Sequence, residues 1–117
     1  MPKLITGTDI KNMLELNIPQ PTIDHTLSER GKRYGSFAQH AEIAQGLKLA
    51  MWSVDNWHDR LAPDMQQALE VIADKIARIL NGDPNYVDNW HDIQGYAKLV
   101  EDRLTKDQNE DSKGLFG

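Results

Sequence analysis

Four carboxylates stand at helical spacing in the second half of this 117-residue chain: Glu70 and Asp74, then Asp88 and Asp92. Residues four apart share one face of a helix, so two such helices lying side by side can aim all four into one cleft. Like charges at close range raise each other's pKa, and hard divalent cations prefer oxygen ligands. The expected chemistry is therefore an Mg²⁺ or Mn²⁺ ion held by Glu70, Asp74, Asp88 and Asp92. Such an ion can clamp phosphate oxygens and activate water for attack on a phosphoanhydride, with Lys75 or Arg78 neutralising the phosphates. Three of them also have a plain structural use. Asp88 can be only a helix N-cap, Asp74 can pair with Arg78, and Glu70 can be a solvated surface charge.

Three further positions bear on a ligand. His40 falls on an apolar helical face, where a histidine is more often hydrogen-bonded structure than catalyst. The run Glu29-Arg30-Gly31-Lys32-Arg33-Tyr34-Gly35 can set a guanidinium and a ring beside a nucleotide, or it can be a charged helix-entry loop. Trp52, Trp57 and Trp90 are expected in the core or at subunit contacts rather than as base-stacking platforms, with Trp57 in a loop.

Helices must position these groups. Ser36 is the expected N-cap of a helix reaching Trp52, on which Phe37, His40, Ala41, Ala44, Leu47, Lys48 and Met51 follow helical spacing. Pro63 suits the first position of a second helix, whose stripe of Met65, Leu69, Ile72, Ile76 and Ile79 runs until Asn81-Gly82 stops it. A third helix starts near Tyr86 or Asp88 and carries Trp90, Ile93, Ala97, Val100 and Leu104. A shorter one, capped by Thr8, runs to about Leu16 before Pro19 and Pro21. No stretch alternates apolar and polar residues over the length of a strand. The reading is all-α: a small bundle of three long helices plus a short N-terminal one, closed by oligomerisation. Residues 1–21 form an arm, 22–105 the helical domain with residues 22–35 as a loop, and 106–117 a disordered tail. The pentapeptide Asp-Asn-Trp-His-Asp occurs at 55–59 and again at 88–92, too short to define a structural repeat.

Composition narrows the partners. A net charge of -5 opposes binding of a nucleic-acid polymer, which relies on clustered cations, but it leaves a free nucleotide open. With 39% hydrophobic residues the core is lean, so subunits are expected to share buried surface. The absence of cysteine excludes disulfides, thiolate metal sites and cysteine nucleophiles. With no apolar stretch near the ~20 residues of a membrane span and no secretory leader, a cytoplasmic location is expected, the host cytoplasm if the chain is phage-encoded.

The block from Ala68 to Leu80, then Gly82-Asp83-Pro84, then Asp88 to Ala97, resembles small phage and prophage proteins of a family without assigned function. Their pattern is similar to the all-α MazG-like nucleotide pyrophosphohydrolases. The resemblance spans roughly residues 27–104 and includes Glu29-Arg30, Tyr34-Gly35 and His40. It implies cleavage of an NTP or dNTP into monophosphate and pyrophosphate by a homodimer or homotetramer. Glu70, Asp74, Asp88 and Asp92 would hold the metal, Glu70 or Asp92 would activate water, Lys75 would assist catalysis, and Arg30, Tyr34, His40, Arg78 and Tyr96 would contact substrate. The spacing departs from that superfamily, whose acidic pairs lie three apart, and Lys75 can neutralise Asp92. The alternative is thus a non-catalytic phage protein on the same scaffold, one that sequesters a nucleotide signal or inhibits a host protein. His40, His58-Asp59 and Asp92 also loosely resemble the order of ligands in helical HD-type metal phosphohydrolases, with His58-Asp59 expected in the linker before Pro63.

Overall fold

The computed structural model describes residues 22–116, with side-chain surroundings through residue 111; the arm at 1–21 and its Thr8-capped helix lie outside the described residues. Five helices follow in order: α1 Ile23–Tyr34, α2 Phe37–Trp52, α3 Asp55–Asp59, α4 Pro63–Asn81 and α5 Val87–Phe116. Among the described residues there is no strand, and no helix long and apolar enough to cross a membrane.

α2 and α4 start and stop where their sequence signals predict. Ser36 caps α2 by accepting from the Gln39 amide, and α4 opens on Pro63 and closes at Gly82. The segment expected as a loop at 22–35 is instead helix α1. Thr22 caps it by accepting from the His25 amide at 3.0 Å. Asp24 sits in its first turn and Lys32 and Arg33 in its last, complementing the helix dipole. Gly31, which suggested a break, sits in open space on this helix, where a glycine is tolerated at about 1 kcal/mol. The segment expected as a linker at His58-Asp59 is also a short helix, α3, which buries Trp57. Gln66 fastens it to α4 by donating to the Trp57 carbonyl at 2.7 Å.

α4 is the central element. Lys48 of α2 meets Asp74 and Trp52 meets Glu70, while Ser36 lies against Asn81, so α2 runs antiparallel to α4. Lys75 meets Asp92 and Asp64 meets Arg103, so α5 is antiparallel as well. α2 and α5 both pack extensively on α4, and no comparable packing joins them to each other. Among the described residues the helices form an open layer centred on α4. Its most buried positions on α4 are Ala68, Ala73 and Ala77, small residues that let helices approach closely. The expected isoleucine stripe is only half covered. Leu49, Leu80, Leu99 and Val87 are exposed, and Trp90, expected in the core or at a subunit contact, is 51% exposed. In the two copies of the pentapeptide opposite residues are buried: Trp57 in the first, Asn89 in the second.

α5 continues through residues 106–116, where the sequence suggests a disordered tail. Pairs four apart, Lys98–Asp102, Arg103–Asp107 and Lys106–Glu110, supply the local support of a solvated helix.

The joint between α1 and α2 is pressed against the end of α4. Gly35 adopts φ 76°, and a Cβ there would strike the Asn81 backbone; one on Gly82 would strike the backbone of Arg33 and Tyr34. Gly82→Ala is therefore expected to lower stability by roughly 1–3 kcal/mol, the range for overpacking. Chemical denaturation should show this, while Gly31→Ala, with open space around it, leaves the midpoint unchanged or raised.

Candidate functional site

The four carboxylates do not converge. Asp92 pairs with Lys75 at 2.8 Å and Asp74 with Lys48 at 2.9 Å. Glu70 accepts from the Trp52 indole at 3.2 Å, and Asp88 accepts from the Tyr86 hydroxyl at 2.9 Å. Among the described residues no three His, Asp or Glu side chains come together in a way that could hold a metal ion. The residues present thus do not fit a preformed Mg²⁺ or Mn²⁺ site. Lys75 and Lys48, with side chains only 13% and 14% exposed, need a counter-charge to lie between helices. Asp92 and Asp74 supply it. Asp74 therefore pairs with Lys48 rather than with Arg78.

The expected ligand contacts fare differently. Arg30, Tyr34, His40 and Arg78 line one pocket of about 350 Å³, together with Leu27, Gly31, Gly35 and Phe37. α1 brings Arg30 and Tyr34, α2 brings Phe37 and His40, and α4 brings Arg78. Tyr96 is not among them; it lines a separate shallow groove on α5 with His91, Asp92, Gly95 and Leu99.

Asn81 holds the pocket's walls in register. Its side-chain amide donates to the Tyr34 carbonyl and to the Ser36 carbonyl, each at 2.8 Å. The Asp83 amide donates to the Arg33 carbonyl at 2.7 Å. The bonds to Arg33 and Tyr34 take up carbonyls that the end of α1 leaves without helical partners, while the Ser36 carbonyl is shared with the His40 amide at 2.9 Å. Arg78 then lies over the Tyr34 ring at 4.7 Å. Tyr34 meets Tyr86 edge-on at 6.1 Å, and Arg33 covers Tyr86 at 5.1 Å.

The cations divide sharply by type. Every described lysine through residue 111 has a carboxylate within 4.0 Å, as does Arg103. Among the described residues Arg30, Arg33, Arg60 and Arg78 have no such partner. Two of those four guanidiniums face the pocket. Inside it Phe37 stays 82% exposed with its ring stacked near His40, centroids 6.2 Å apart. Burial holds the His40 pKa below its ordinary value, helped by the charge of Arg78; Asp74 opposes this and Lys48 adds to it. An anion with a planar group matches these walls: guanidiniums take phosphate bidentately, and exposed rings stack on bases.

Sequence reasoning did not find Leu27, Phe37 or Asn81. Phe37 and Leu27 look like core residues by type, and Asn81-Gly82 looks like a simple helix stop. The signal for Asn81 is its position before a glycine at a helix end, but the carbonyls it binds lie 45 and 47 residues away.

The Lys75–Asp92 pair carries a pH signature. The hydrogen bond and charge of Lys75 hold the Asp92 carboxyl below the ordinary value of 3.8. The pair's stabilisation is complete above that value and is lost as pH falls through the lower folded value. Lys75→Met should return Asp92 toward 3.8 in a carbon-detected NMR titration and remove this part of the acid sensitivity. Comparison with family models, curated proteins and solved structures finds no match to this chain.

Proposed function

We propose that this protein binds a nucleotide in the pocket formed by α1, α2 and α4. The observation that carries the reading is the pair Arg30 and Arg78, guanidiniums without carboxylate partners facing an aromatic-walled cavity in a chain of net charge -5. Where every lysine from residue 22 through 111 is neutralised, two unpaired arginines mark the place where an anion is stabilised. The phosphates sit at Arg30 and Arg78, and the base lies toward Tyr34 and the exposed Phe37. The pocket volume is at the lower end of the range for small-molecule sites, which suits a mononucleotide.

Binding without turnover is the reading that the carboxylate arrangement supports, because Asp74 and Asp92 are already committed to Lys48 and Lys75. The phage-type role implied by the sequence resemblance is then sequestration of a nucleotide signal. A homodimer or homotetramer belongs to the same proposal: the open layer and its exposed leucines need cover, and a second copy offers the same surface.

Calorimetry with a panel of NTPs and dNTPs tests it. Binding at a fixed ratio, unaffected by EDTA and without product, is the expected result. Arg78→Ala should weaken binding about 10- to 100-fold, the effect of losing a hydrogen bond to a charged group, and Arg78→Lys should restore it only in part because the fork and the stacking are lost. Pyrophosphate release that requires Mg²⁺ and disappears in Asp92→Asn would instead establish the hydrolase.

A further inference from the structure

His40 lines the pocket, yet its Nδ1 is sealed from solvent and has no hydrogen-bond partner. A neutral imidazole has one nitrogen that donates and one that accepts, whereas the charged ring donates from both. Charging His40 would bury an N–H of a cation with no acceptor, which is costly. The tautomer protonated on Nδ1 would bury the same N–H. The form that avoids both carries its proton on Nε2, the nitrogen left for the pocket. The surrounding charges agree. Asp74 on α4 and Lys48 on α2 act on the ring but are each other's partners at 2.9 Å. Arg78 on α4 and Arg30 on α1 remain, both positive and both lining the same cavity.

We propose that His40 meets the ligand as an uncharged imidazole whose Nε2–H donates to an oxygen acceptor, making it the residue that selects a phosphoryl oxyanion over a ligand that presents a donor. This rests on the pocket being the nucleotide site. With Arg30 and Arg78 it lines the pocket with three donor side chains. Two cations then suffice for charge and the third contact adds direction. Binding of an anion of constant charge is consequently nearly independent of pH near neutrality.

Nitrogen-15 NMR on the free, histidine-labelled protein tests the ring itself. The expected spectrum is the neutral Nε2–H tautomer, with less than half of His40 charged at pH 6.5, the ordinary midpoint for histidine. An Nδ1–H tautomer, or an imidazolium that predominates at pH 6.5, would overturn the inference. Inorganic sulfate, whose charge is constant over this range, tests the contact. Its dissociation constant, followed by NMR titration, should change less than about threefold between pH 6.5 and 8. It should rise about tenfold in His40→Leu and recover in His40→Gln, which keeps an N–H donor. Tightening of tenfold or more toward pH 6.5, abolished in His40→Leu, would show a cationic histidine and contradict the proposal. Sulfate binding that His40→Leu leaves intact would remove His40 from the contact while leaving the pocket in place; failure of sulfate to bind at any pH would remove the pocket reading and the contact with it.

Discussion

The Asn81 amide ties the α1–α2 joint to the end of α4. By donating at 2.8 Å to the carbonyls of both Tyr34 and Ser36, it grips the chain on either side of Gly35, the only described residue with a left-handed backbone angle. The two glycines allow the backbones of the α1–α2 joint and the α4 terminus to approach within a distance that any Cβ would block. α1 buries none of its residues, so apolar burial alone cannot hold it. Hydrogen bonds at this joint, with the stack of Arg78 on Tyr34, fix where Arg30 and Tyr34 stand relative to His40.

The two kinds of cation serve two ends of the same physics. A lysine is a compact, strongly hydrated charge, and Lys48 and Lys75 lie between helices only because Asp74 and Asp92 go with them. Those pairs, with Arg103 bound to Asp64, set the antiparallel register of α2 and α5 on α4. Arginine tolerates partial burial against a ring, and Arg78 and Arg33 are placed in that way over Tyr34 and Tyr86. Their fork hydrogens are not committed to carboxylates. Asp74 and Arg78 thus stand four residues apart on one helix, α4, without pairing.

Much of this was legible from local patterns. The all-α class, the extents of α2 and α4, and the start of α5 follow from caps, a first-turn proline and helical periodicity. α1 was hidden because its glycine and its charged run mimic a loop, while its support comes from Thr22 and from Asn81 far along the chain. The spacing of Glu70 with Asp74 and of Asp88 with Asp92 did put each pair on one helical face. Spacing does not show which lysine will claim each acid, and Lys48 is 26 residues from Asp74. Composition pointed to a thin core, and the alanine-lined contacts on α4 are its structural form. Arg30, Tyr34, His40 and Arg78, far apart in the sequence, share one cavity; Tyr96 lies on the α5 face outside it.

The sharpest test is chemical-shift mapping on isotope-labelled protein titrated with the nucleotides of the panel. Saturable shifts concentrated at Arg30, Tyr34, Phe37, His40 and Arg78, unchanged when EDTA is present, are expected. Shifts centred on Glu70, Asp88 and Asp92 that require added Mg²⁺ would contradict binding in this pocket, since they would mean that the carboxylates leave their lysines to hold a metal and that the ligand follows them.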